Sequence, residues 1–111
     1  MDLDVKVRQQ GDRSVLSASG EVDVFTAPTL DDAITGELDE DRAHLVVDLT
    51  RVSFLDSTGL GVLVKGLKGA REAGGELDLV VSSERIRRIF EITGLDASIS
   101  IYDTLDAALA G

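Results

Sequence analysis

The chain has 111 residues, 43% hydrophobic and only 4% aromatic, enough for one packed core in a single domain spanning 1–111. A formal net charge of −10 excludes nucleic acid and anionic membrane surfaces as favoured partners and points instead to a protein with a basic face. The absence of cysteine excludes disulfides and thiolate metal sites; the charged opening MDLDVKVRQQ has no apolar leader core and no stretch reaches the roughly 18–20 apolar residues of a membrane span, so a cytoplasmic protein is expected.

Residues 3–9 (LDVKVRQ) alternate apolar and polar side chains and predict a half-buried strand. Gly11-Asp12 supplies a turn, and 14–20 (SVLSASG) the second strand of a hairpin, because the connection is too short for a parallel crossover. EVDVF either continues that strand or forms the loop after it. Thr26 as N-cap, Pro28 in the first turn, and Leu30, Ala33, Ile34 and Leu38 at helical spacing predict the first helix. The run DDAITGELDED at 31–41 holds six acids and no base, and reads as a solvated helix face and acidic turn.

Residues 43–49 (AHLVVDL) are nearly all apolar, as in a central strand covered on both faces. Leu60, Leu63, Val64, Leu67 and Ala70 mark one face of a second helix that Gly74-Gly75 ends. ELDLVVS at 76–82 predicts a further strand, and SERIRRIFEITG a locally basic amphipathic helix stopped at Gly94. SISIY at 98–102 predicts the last strand, and Asp103 caps a final helix, TLDAALA. The order β-β-α-β-α-β-α-β-α describes an α/β domain with a mixed, mostly parallel sheet and packed helices. Strand ends that feed helices are where such sheets carry ligands and chemistry, which draws attention to VSFLDSTGLG at 52–61 and to Asp23 just beyond the second strand.

Several familiar chemistries fail on spacing there. A P-loop needs Lys after its second glycine, but Gly61 and Gly66 run into Leu67. A dinucleotide fingerprint starting at Gly59-Leu60-Gly61 has Val64 in place of its third glycine. A hydrolase elbow needs glycine where Leu55 stands, and the single histidine, His44, begins a strand with no sign of pairing to Ser57. Asp39-Glu40-Asp41 is followed by Arg42 and Ala43, unlike a calcium loop, so no metal and no cofactor is expected. A phospho-aspartate receiver would place an acceptor Asp at the end of the third strand, as Asp56 is. Receivers, however, open β-α-β with an acidic pair after the first strand and a Lys after the last, and this chain does neither.

The segments GEVD at 20–23, LVVDLTRVSFLDSTGLGVL at 45–63, and ELDLVV followed by an amphipathic helix ending in TGL at 93–95 resemble, over the whole chain, a STAS domain of the bacterial anti-sigma factor antagonist family. The resemblance implies a STAS fold and a non-enzymatic switch, with Ser57 as phosphate acceptor and Thr58 as a secondary candidate. It places Asp56 and Asp23 in the partner-binding region. It further implies that the unphosphorylated protein binds an anti-sigma factor that is also a serine kinase and so releases a sigma factor. The kinase, using ATP, then phosphorylates the antagonist, and a PP2C-type phosphatase resets it, in settings such as stress response or sporulation. A STAS scaffold or sensory-complex subunit outside any sigma pathway is the alternative.

The residues themselves leave two accounts open. With Ser57 as N-cap or first residue of the helix, free amides and the positive dipole end would favour a phosphate there, while Gly59 and Gly61 would let a partner backbone approach. Alternatively Ser57 is only an N-cap, worth about 1 kcal/mol, and the glycines only let the helix pack closely on the sheet. Asp23 is either a turn aspartate or a functional contact.

Overall fold

The computed structural model describes residues 2–111. β1 (Leu3–Gln10) and β2 (Arg13–Val22) form the hairpin, followed by α1 (Ala27–Asp39), β3 (His44–Leu55), α2 (Ser57–Glu72), β4 (Glu76–Val80), α3 (Glu84–Thr93), β5 (Ile101–Tyr102) and α4 (Leu105–Ala110). The sheet order is β1-β2-β3-β4-β5; β1 and β2 are antiparallel and every other pair is parallel. The element order and the mixed sheet agree with the sequence.

The period-2 alternation of the strands sorts their side chains into two layers. On one face Leu16, Ala18, Leu45, Val47, Leu77 and Leu79 pack against Leu30 and Ile34 of α1, Leu63 and Leu67 of α2, and Ile86 and Phe90 of α3. Each large side chain buried this completely contributes about 1.5–3 kcal/mol relative to exposure. On the other face Val15, Val46 and Val80 meet Ala108 of α4. That helix is short, and the rest of this face, including Lys6, Ser17 and Thr50, lines an open depression of about 550 Å³.

Four expectations need correction. The third strand runs through Leu55, well beyond residue 49, because β2 keeps pairing after β4 has ended: Asp48 is the last residue opposite β4, whereas Arg51, Val52, Phe54 and Leu55 still face β2 across two register shifts. With only one neighbour, this half of the strand buries Val52 and Leu55 but exposes Arg51, Ser53 and Phe54, so it lacks a continuous apolar run. The last strand is only Ile101–Tyr102; a 3-10 turn occupies Leu95–Ala97, and Ile99 follows it as a buried plug. The final helix is capped by Thr104, whose hydroxyl accepts from the Ala107 amide at 3.1 Å, while Asp103 pairs with Arg87 of α3.

The acidic run is not uniformly solvated. Glu37 is 6% exposed, accepts a two-pronged pair from Arg42 (3.0 and 2.8 Å) and a further hydrogen bond from Gln9 of β1 at 3.0 Å. The Arg42 guanidinium, acting first through these hydrogen bonds, holds the Glu37 carboxyl down at about 2 against desolvation.

Candidate functional site

β2 and β3 end level with each other, Val22 opposite Leu55, and the Asp56 amide donates to the Val22 carbonyl at 3.2 Å. Parallel pairing thus brings the two stretches singled out by sequence, Asp23 and Asp56-Ser57-Thr58, to one end of the sheet.

Asp56 leaves β3 in an extended conformation (φ −104°, ψ −174°) and is itself the N-cap of α2. Its Oδ1 accepts from the amides of Thr58 (3.0 Å) and Gly59 (3.1 Å), and its carbonyl accepts the first helical bond from Leu60. Ser57 is the first residue of the helix, and both it and Thr58 are exposed. The capping role that offered a purely structural account of Ser57 belongs to its neighbour. The amides of Thr58 and Gly59 are also committed to Asp56, so a group on Ser57 would have to compete with that carboxylate for them.

Asp23 shapes the other half of this end. Its Oδ1 accepts from the Phe25 amide (2.9 Å) and the Thr26 amide (3.0 Å), with the Thr26 hydroxyl oxygen 3.2 Å away. The Thr26 backbone hydrogen bond is the main reason the carboxyl titrates below its ordinary value. The Thr26 hydroxyl donates to the Glu21 carbonyl at 2.7 Å and accepts from the Asp23 amide, so Thr26 closes this turn and makes no side-chain cap to α1. Asp23 is therefore a turn aspartate that positions its loop.

The turn it fixes holds Val24 and Phe25 in solvent, 59% and 88% exposed. Phe54, opposite Glu21 near the end of β3, is also exposed. Two of the three phenylalanines thus stand at or near this end outside the core, and only Phe90 is buried. Sequence reasoning missed this feature, although an apolar pair inside a turn, Val24-Phe25, was its visible signal.

The two glycines play different parts. A Cβ on Gly59 would lie 2.5 Å from Leu55 Cδ1 and 2.7 Å from Val22 Cγ1, so this glycine seats α2 on the strand ends and is buried, which corrects the expectation that it offers partner access. Gly61 is exposed, with open space where its side chain would be. His44 lies at the opposite end of β3 from Ser57. Among the described residues no group of His, Asp and Glu is arranged to hold a metal ion, and no helix is long and apolar enough to cross a membrane.

Sheet and site define an α/β domain whose distinctive chemistry is an exposed hydroxyl pair on a helix's first turn, flanked by two turn-forming carboxylates and exposed apolar side chains. The chain belongs to the STAS domain family, which matches residues 4–108. It is similar to the anti-sigma-B factor antagonists of Bacillus subtilis (strain 168), 42% identical over 91% of this chain and 92% of the relative, and of Listeria monocytogenes, 38% identical over 91% and 90%. A crystal structure of an anti-sigma factor antagonist from Mycobacterium paratuberculosis superposes with a TM-score of 0.91 at 36% identity, covering 98% of this chain and 92% of that one.

Proposed function

We propose that this protein is an anti-sigma factor antagonist whose unphosphorylated form binds an anti-sigma factor and whose phosphorylation at Ser57 ends that binding. The observation that carries the reading is the division of labour at the entrance to α2: Asp56 caps the helix, and Ser57 stands exposed beside it. A phosphate can be added there without removing a cap.

The physical consequence is local. Phosphoserine adds about −1.5 to −2 charges at pH 7. It does so next to Asp56, whose carboxylate already holds the Thr58 and Gly59 amides, so the new charge faces outward. A partner with a basic rim and an apolar centre would fit Val24, Phe25 and Gly61 before modification and lose that fit afterwards. In this reading the protein is a substrate and binding module, not an enzyme. The anti-sigma factor is the serine kinase: the Ser57 oxygen takes the γ-phosphoryl group of ATP, ADP leaves, and the hydroxyl proton passes to the kinase. In the cytoplasm a PP2C-type phosphatase transfers that phosphoryl group to water, releasing inorganic phosphate and restoring the Ser57 hydroxyl. Thr58, also exposed, is the secondary acceptor.

The test is incubation with the anti-sigma kinase and ATP, followed by mass spectrometry and affinity measurement. One acid-stable phosphate is expected on Ser57; Ser57→Ala should bind and take no phosphate there, and Ser57→Asp should bind at least about tenfold more weakly. Acid-labile label on Asp56, or equal affinity of the two variants, would overturn the switch; a complex indifferent to the state of Ser57 would point to a scaffold.

A further inference from the structure

β1 is an edge strand of eight residues, with β2 as its single neighbour, no proline and no bulge against β2. Long edges of this kind template pairing with another chain unless something blocks them. The Glu21 amide donates to the Asp2 carbonyl, which fixes the alternation: the backbone groups of Asp2, Asp4, Lys6 and Arg8 point toward β2, and those of Leu3, Val5, Val7 and Gln9 point out of the sheet.

The side chains carry a self-complementary charge code. Reading along the strand, Asp2, Asp4, Lys6 and Arg8 share one face, while Leu3, Val5 and Val7 share the other. In an antiparallel pair of two copies centred on Val5, Asp4 lies opposite the partner's Lys6 and Asp2 opposite the partner's Arg8. Leu3 lies opposite the partner's Val7, covering a side chain that is 41% exposed in one copy. The outward backbone groups of Leu3, Val5 and Val7 are then the ones that meet. Every neighbouring register that keeps those groups matched sets like charges against each other: Asp4 on Asp4, Lys6 on Lys6, or Lys6 on Arg8.

We propose that the β1 edge is a homodimerisation surface, occupied by a second copy of this chain in the Val5-centred antiparallel register, giving a continuous ten-stranded sheet. Because the two copies run in opposite directions, their Ser57 ends point away from each other, and the interface leaves both sites open. The inference is independent of the function proposed for Ser57.

Sedimentation velocity across the micromolar to millimolar range tests it. The wild-type chain should show a concentration-dependent monomer–dimer equilibrium. Asp4→Lys, which sets like charges opposite each other twice in the symmetric pair, should weaken the dimer by about an order of magnitude or more. The double variant Asp4→Lys/Lys6→Asp should restore it. Both positions are exposed, and circular dichroism should show unchanged folding. A chain that stays monomeric throughout, a dimer indifferent to Asp4→Lys, or rescue by Asp4→Lys/Arg8→Asp in place of the first double variant would overturn the proposal.

Discussion

Replacing Glu37 by Gln removes one charge from the back of α1 and little else in volume. In the folded chain the carboxyl sits at about 2 against an ordinary 4.5, which corresponds to about 3 kcal/mol of stabilisation at neutral pH. The Glu37 side chain is 8% exposed, so this contribution is little screened on its own side, whereas Arg42 is 42% exposed and regains water when its partner is lost. The expected net cost of Glu37→Gln at pH 7 is therefore about 2–3 kcal/mol, seen as a urea midpoint lower by about 1–2 M. The pH dependence has a definite sign. A carboxyl depressed in the folded state gives its full contribution above the unfolded value of 4.5 and loses it as pH falls toward about 2. Urea titrations of both proteins at several pH values should show a gap that is widest at pH 7 and closes over that window. A gap of the same size at both ends would mean that hydrogen-bond geometry, not ionisation, carries the effect, and would refute the reasoning.

Two further comparisons separate the roles of residues near Ser57. Asp56→Asn keeps a good capping side chain and should leave stability within a few tenths of a kcal/mol, whereas Asp56→Ala should cost about 1 kcal/mol in thermal or urea unfolding; equal losses would shift the explanation from the cap to the charge. Gly59→Ala should destabilise by about 1–3 kcal/mol despite its better helix propensity, because the new methyl meets Leu55 and Val22. Gly61→Ala, with open space around it, should be neutral or stabilising by up to about 1 kcal/mol, and a Gly59 variant that melts no lower than the parent would contradict the seating role.

Local patterns in the sequence resolved most of the architecture. Alternation in 3–9, helical spacing in the first two helices and the αL stop at Gly94 (φ 77°) all reappear, because each rests on contacts within a few residues. What was hidden depends on distant neighbours. The length of β3 is set by where β4 stops pairing, and the burial of Glu37 by Gln9 and Arg42 closing over it. At the site, the acidic and hydroxyl residues were legible as a group, but their division of labour was not. Asp56 and Ser57 are both reasonable caps by composition, and the choice of Asp56 follows from the extended backbone that leaves β3. Likewise Gly59 and Gly61 look alike in sequence; only their opposite sides of α2 make one a packing surface and the other open.

The Asp56 cap also bears on how long a signal written at Ser57 would last. Since the carboxylate and not the serine caps the helix entrance, modification of Ser57 takes no cap away from the fold. A serine phosphoester so placed would be a durable mark, erased at the pace of an enzyme and not of the protein's own motions. In such an arrangement the duration of the response is set outside the domain, by the balance of the activities that write and remove the mark.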